Sequence, residues 1–272
     1  MNLGYVQTAT QFGHKEDNFA AVRALVAEHF RGRAIDLLVL PELFATGYAF
    51  VSRNEAARLA EPADGPTAAF LRELSAVVGG VVVAGFAESE DGKIYNSSLI
   101  VDSERILGTY RKIHLFNREK LWFDPGDLKP SLYESAGVKF GVMICFDWIF
   151  PEAMRTLMLL GADVVAHPAN LVLPFCQEAM KTRCLENRMF SVTANRVGRE
   201  IRGDDDFLFT GASQITAPDS KILNRAPTEG VAAESVEIDP ASAADKKLND
   251  HNDLRDDRRP GLYGELVRQQ EG

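Results

Sequence analysis

The chain reads as short apolar runs alternating with stretches in which apolar residues recur at helical spacing. Residues 3–6 predict a first strand, and nothing at the start has the charged and apolar regions of a signal peptide. Phe19, Val22, Leu25, Val26 and Phe30 fall at helical intervals. Residues 35–40 predict a short buried strand that stops at Pro41-Glu42. Pro66 opens a second predicted helix, with Phe70, Leu71, Leu74 and Val77 on one side. Residues 81–86 predict a strand. Residues 95–101 and 105–110 predict two more, joined as a hairpin through Asp102-Ser103-Glu104. From 111 to 130, charged and aromatic residues crowd together without a clean period, which suits a working loop. Strands are predicted over 138–144, 163–166, 190–194, 207–216 and 231–238, and helices over 151–160, 175–187 and 241–248. Residues 198–206 are expected to form a loop whose Asp204-Asp205-Asp206 run needs solvation. Residues 249–259 are polar and charged, a flexible tail or an arm against a partner.

This alternation predicts an α/β protein, and the neighbouring hairpins predict mixed rather than purely parallel sheets. No internal repeat or long Pro/Gly-rich linker divides the 272 residues, so one domain over 1–272 is expected. The composition is that of a globular protein, 46% hydrophobic and 25% charged. With 39 acidic and 30 basic residues the net charge is −9, which argues against general binding to nucleic acid. Phosphate-binding glycine loops are missing from the sequence. No run approaches the roughly 20 apolar residues of a membrane span. The 3 cysteines fit thiols kept reduced in a cytoplasm better than a disulfide scaffold.

Three residues stand out for chemistry. Cys145 ends the strand run Gly141-Val142-Met143-Ile144, just before a predicted helix, where a helix N-terminus would favour a thiolate. It is either a nucleophile or a small buried hydrophobe. Cys176 and Cys184 suit core or helix-face positions. Glu42 follows a buried strand and a proline; it is a general base or acid in an apolar site, or a cap. Lys112 lies in Tyr110-Arg111-Lys112-Ile113-His114, on the same side as Tyr110 and His114 if the strand continues; it is an oxyanion stabiliser or an ordinary solvated lysine. The 5 histidines show no paired spacing for a metal, and no cofactor is expected.

Pro41-Glu42-Leu43-Phe44, Tyr110-Arg111-Lys112-Ile113-His114-Leu115-Phe116 and Gly141-Val142-Met143-Ile144-Cys145-Phe146-Asp147 with Phe150-Pro151-Glu152 resemble the three signature blocks of the nitrilase superfamily, the carbon–nitrogen hydrolases, in the same order. His167-Pro168-Ala169-Asn170, Glu186-Asn187-Arg188, Thr193-Ala194-Asn195-Arg196 and Asp257-Arg258-Arg259-Pro260 add to the likeness. It implies a four-layer α-β-β-α sandwich of two mixed sheets, and a homodimer with residues 249–272 as an arm at the interface. It implies Glu42 as general base, Lys112 as oxyanion stabiliser, Cys145 as nucleophile and Glu119 as a second glutamate holding Lys112. The backbone N–H of Phe146 is an oxyanion candidate. Asn170 is a candidate substrate contact or a loop cap. Phe116, Phe146 and Trp148 are candidate pocket walls or ordinary core.

Members that hydrolyse nitriles usually carry Cys-Trp-Glu at the nucleophile. Cys145-Phe146-Asp147 resembles the amidase, ω-amidase and carbamoylase branches more closely. The expected activity is therefore hydrolysis of a small-molecule amide through a cysteine thioester. Nitriles and N-carbamoyl amides are the alternatives, and a non-catalytic binding or regulatory member is the alternative of another class.

Overall fold

A computed structural model describes residues 1–268; the last four residues of the expected C-terminal arm lie outside it. In chain order the elements are β1 (Asn2–Gln7), α1 (Lys15–His29), β2 (Leu37–Val39), α2 (Arg53–Leu59), α3 (Pro66–Val78), β3 (Val81–Glu90), β4 (Lys93–Val101), β5 (Ile106–Arg111), α4 (Glu119–Trp122), β6 (Tyr133–Ser135), β7 (Val138–Val142), α5 (Pro151–Leu160), β8 (Val164–Pro168), α6 (Cys176–Asn187), β9 (Phe190–Ala194), β10 (Val197–Arg202), β11 (Asp205–Thr210), β12 (Gln214–Thr216), β13 (Ile222–Arg225), β14 (Ala232–Glu237), α7 (Ala241–Ala244), β15 (Lys247–Asn249) and β16 (Asn252–Asp253).

Two six-stranded mixed sheets carry the fold. The first runs β14-β1-β2-β3-β4-β5 and the second β13-β12-β9-β8-β7-β6. Both follow one plan: three parallel strands in the middle (β1-β2-β3; β7-β8-β9) and antiparallel neighbours outside. The strict period of two decides what each face covers. Leu3, Tyr5, Leu37, Val39, Val81 and Val83 share a core with residues of the second sheet. Their neighbours Leu38, Val82 and Ala84 pack with Phe19, Val22, Phe70 and Leu74 of α1 and α3. On the second sheet Gly141 faces α5: a Cβ there would lie 2.5 Å from the Leu157 side chain. Helices thus cover the outer face of each sheet while the inner faces meet. Among the described residues no helix is long and apolar enough to cross a membrane.

Several expectations need correction. The stretch 198–206 is not a loop: β10 and β11 pair there as an antiparallel hairpin. Its acidic run is neutralised from outside, Asp206 by Arg199 and Asp205 by Arg118. The predicted strand 207–216 is two strands, broken where Gly211 and Ala212 take positive φ. Strand 81–86 extends to Glu90, because Asp91-Gly92 closes a two-residue hairpin with both residues at positive φ. On α3 the buried face ends in Val78, and Val77 points to solvent. Helix α7 ends at Ala244, with a strand, not a helix, over the following residues. The loop 111–130 contains the single turn α4.

Candidate active site

The candidate site lies at the C-terminal ends of strands from the two parallel cores and of β5, which runs in the same direction as β3 with β4 antiparallel between them. Glu42 follows β2, Lys112 follows β5, Cys145 follows β7 and Asn170 follows β8. Sites collect at the C-terminal ends of parallel strands, where loops meet over a rigid frame. The structure brings Glu42, Lys112, Glu119, Cys145 and Asn170 into one buried cluster.

Lys112 and Glu42 are fully buried, a costly placement for lone charges. They are not alone. Lys112 Nζ donates to Glu42 Oε1 at 2.7 Å and to Glu119 Oε1 at 2.8 Å. Asn96 Nδ2 also donates to Glu42 Oε1 at 2.7 Å. Tyr48 Oη donates to Glu119 Oε1 at 2.6 Å, and the Phe116 backbone N–H to Glu119 Oε2 at 3.2 Å. Burial disfavours the Lys112 ammonium, but the carboxylates of Glu119 and Glu42 outweigh it, and its pKa lies above the ordinary lysine value. Burial raises the Glu119 pKa against the opposing pull of Lys112. Glu42 Oε2 is buried without a partner among the described residues. An unpaired buried acceptor costs about 1–3 kcal/mol.

Two glycines let the backbones of this cluster approach. A Cβ on Gly85 would sit 2.4 Å from Glu42 Cα, and one on Gly126 would sit 2.3 Å from the Arg111 carbonyl oxygen and 2.8 Å from that of Lys112. Gly126 N–H also donates to the Lys112 carbonyl at 2.9 Å.

Cys145 sits in a one-turn 3-10 helix, Cys145–Ile149, with φ +42°. A side chain rarely adopts this left-handed conformation, which costs of order 1–3 kcal/mol. Neighbours hold it. Asp147 accepts from the Ile144 N–H at 2.9 Å, from Tyr110 Oη at 2.7 Å, and from the His114 backbone and ring. His167 Nε2 lies 3.0 Å from the Cys145 carbonyl oxygen and Nδ1 3.1 Å from Thr193 Oγ1. A carbonyl only accepts, so the His167 proton is on Nε2 and Nδ1 accepts from Thr193. Burial lowers the His167 pKa, which keeps this neutral form. His114 stacks on Phe150 at 3.7 Å and donates to Asp147, a structural placement behind the nucleophile turn.

Burial works against the Cys145 thiolate that a helix N-terminus would favour. Burial first, and then the Glu42 charge, push its pKa well above the ordinary thiol value, against the opposing effects of Lys112 and the Asn170 backbone N–H. The other two cysteines are buried free thiols, as expected of core positions.

A cavity of about 20 Å³ opens over Cys145, lined by Phe116, Phe146, Trp148, Asn170 and residues 171–173. Such a volume holds about one water. Phe116 meets Phe146 edge to face at 5.0 Å. Asn170 is committed more than expected: its Nδ2 donates to the Glu42 carbonyl at 2.8 Å, while its Oδ1 is buried and has no partner among the described residues. Tyr48 and Asn96, which hold the carboxylates, were not apparent in the sequence. Their partners lie 71 and 54 residues away, and no local pattern marks them.

Similarity to known proteins gives the class of this fold. Residues 2–247 match the model of the carbon–nitrogen hydrolase family. The chain belongs to that family, whose members hydrolyse carbon–nitrogen bonds. It is 43% identical over 264 residues to a nitrilase of Pyrococcus abyssi, covering 97% of this chain and 99% of that protein. It is 35% identical over 276 residues to an (R)-stereoselective amidase of a Pseudomonas species, covering 100% and 96%. The crystal structure of an amidase from a Nesterenkonia species superposes with a TM-score of 0.80 at 22% identity, over 98% of this chain and 96% of that one.

Proposed function

We propose that the chain hydrolyses a small, uncharged amide to its carboxylic acid and ammonia through a thioester on Cys145. The observation that carries this reading is the buried cluster of Glu42, Lys112 and Cys145, in which Glu42 Oε1 is held by Lys112 and Asn96 while Oε2 has no partner among the described residues. A thiol with a raised pKa needs a base at the moment of attack, and Glu42 is the group left free to act as one.

The proposed steps are these. Glu42 takes the Cys145 proton as sulfur attacks the amide carbon. The oxyanion is met by the Lys112 ammonium and the Phe146 backbone N–H. Glu42 returns the proton to nitrogen, the C–N bond breaks and ammonia leaves. Water, deprotonated by Glu42, attacks the thioester and releases the acid and the Cys145 thiol. Glu119 keeps Lys112 charged and in place, and Tyr48 keeps Glu119 in place.

The pocket lining supports the substrate class. Apart from Cys145 and Asn170, the residues that line it are apolar: Phe116, Phe146, Trp148, Leu171, Val172 and Leu173. A carboxylate held against these apolar walls would lose its solvation, which favours an uncharged substrate body. Ammonia release across short aliphatic amides, ω-amides of dicarboxylic acids, N-carbamoyl amino acids and nitriles tests this: the short aliphatic amides should give the highest kcat/KM. Preference for an anionic ω-amide or N-carbamoyl amino acid would refute it. The 43% identity to a protein named nitrilase makes nitriles the second reading, since the same thiol can add to a nitrile carbon.

The proposal includes a homodimer and a reducing compartment such as the cytoplasm. Leu159 and Leu160 of α5 are exposed, and so are Leu262 and Leu266 of the C-terminal segment; apolar side chains of this kind suit contact with a second copy. Removing residues 249–272 should halve the mass seen by sedimentation, and an unchanged mass would count against the arm. Three buried free thiols fit a reducing milieu.

A further inference from the structure

Arg196 is the largest fully buried side chain among the described residues, and no step above uses it. Its Nη1 and Nη2 both donate to Glu200 Oε2 at 3.0 Å, Nη2 donates to the Thr10 carbonyl at 2.7 Å, and the guanidinium lies 4.0 Å from the centre of the Phe209 ring. Burying this pair is expensive, and an apolar pair could fill the same volume. The other oxygen of Glu200 shows what the pair holds. Glu200 Oε1 accepts the backbone N–H of Tyr48 at 3.0 Å and that of Ala49. Two residues further along β10, Arg202 donates to the Ala49 carbonyl at 3.0 Å. The hairpin thus grips both sides of one loop, the loop that leaves Glu42 and carries Tyr48, whose hydroxyl reaches Glu119.

We infer that the Arg196–Glu200 pair is a positioning device for the reaction, acting through Tyr48 and Glu119 on the placement of Lys112. This inference rests on the proposed roles of Lys112 and Glu119. The line of contact is continuous: Arg196 to Glu200, Glu200 to the Tyr48 backbone, Tyr48 Oη to Glu119 Oε1, and Glu119 Oε1 to Lys112 Nζ. The ring of Tyr48 is fixed edge to face against Phe207 and Phe209 of β11, so a shift of its backbone moves the hydroxyl rather than being absorbed by a free rotamer. Coupling of this kind needs a cycle of mutants to separate it from general structural support.

The test crosses Glu200→Gln with Tyr48→Phe. The first change puts an amide N–H₂ toward Arg196 or toward the two backbone N–H groups, so one side of the grip is lost; the second removes only the hydroxyl. Two rates are read: kcat for ammonia release, and the rate at which iodoacetamide alkylates Cys145 by intact mass. Each single variant should lower kcat by about tenfold, the scale of one lost hydrogen bond to a charged group. KM should change by less than about twofold. The double variant should be no more than about twofold slower than Tyr48→Phe alone, and the alkylation rates should show the same lack of additivity. A double variant slowed by the product of the two single effects would overturn the inference, since Glu200 would then act without Tyr48. If Glu200→Gln does not fold, Arg196→Lys, which keeps the charge and loses the planar grip, takes its place in the same cycle with the same two outcomes. If the wild type hydrolyses none of the substrates, the amide reading fails separately, and the alkylation cycle still decides for or against the positioning role.

Discussion

Gly85→Ala should damage the site through the backbone alone. The added Cβ would stand 2.4 Å from Glu42 Cα, 2.6 Å from Leu43 N and 2.9 Å from Glu42 C, all main-chain atoms that cannot swing aside. Carbon atoms in contact rest about 3.5–4.0 Å apart, so β3 and the Glu42 backbone must separate by roughly 1 Å. Glu42 Oε1 holds two bonds of 2.7 Å, from Lys112 and Asn96, and a shift of that size takes them out of good hydrogen-bond range. Misplacing a reacting group by about 1 Å costs on the order of 100-fold in rate, and overpacking a core costs about 1–3 kcal/mol. The assay is kcat/KM for a short amide beside the melting temperature. Gly4→Ala is the control: its Cβ would meet the Ile35 side chain at 2.9 Å and the Leu38 side chain at 3.3 Å, on the helix-facing side of the first sheet. It should lose stability with kcat/KM kept within about twofold. A folded Gly85→Ala enzyme with wild-type kcat/KM would refute the reasoning, as would an equal activity loss in Gly4→Ala.

Cys145→Ala should abolish turnover with the melting temperature held within a few degrees, because a small side chain replaces a small thiol; turnover at the wild-type rate would exclude Cys145 as nucleophile. Lys112→Met should lower kcat by about 100-fold or more and cost about 3–5 kcal/mol in urea unfolding, since it strands two buried carboxylates; a change of less than twofold in kcat would remove Lys112 from the oxyanion. Lys246 is buried, donates to the carbonyls of Arg188 and Ala243, and has a pKa lowered by burial to about 8. Its unfolded form binds the proton more tightly, so stability rises with pH between about 8 and the ordinary lysine value near 10.5. The unfolding free energy of wild type relative to Lys246→Met should therefore rise from pH 7 to pH 10, and a constant or falling difference would contradict this.

The parts of the fold that hold a local period were legible in the sequence. The run from Leu37 to Val39, the spacing of Phe19, Val22 and Val26, and Pro66 and Pro151 at helix starts each follow from residues within one turn or one strand. The hairpin of β10 and β11 was hidden because Gly198, Gly203 and three aspartates look like a loop until Arg199 and Arg118 arrive to neutralise two of them. Asp91-Gly92 did carry a hairpin signal of its own. The candidate site divides in the same way. Glu42, Lys112 and Cys145 each stand in a recognisable block, whereas Tyr48, Asn96 and Glu200 take their meaning from partners 54 to 152 residues away. Val77 and Val78 show a finer limit: the helical period marks a stripe, and only packing on β3 decides which edge of it is buried.

The central claim is a covalent acyl group on Cys145 formed as ammonia leaves. Acid-quenched intact mass spectrometry during turnover of a short aliphatic amide, beside ammonia release, measures both at once. The account predicts an added acyl mass that maps to Cys145, ammonia and acid released in equal amounts, and neither signal from Cys145→Ala. Ammonia release by Cys145→Ala at the wild-type rate, or an adduct on any other residue, would contradict it.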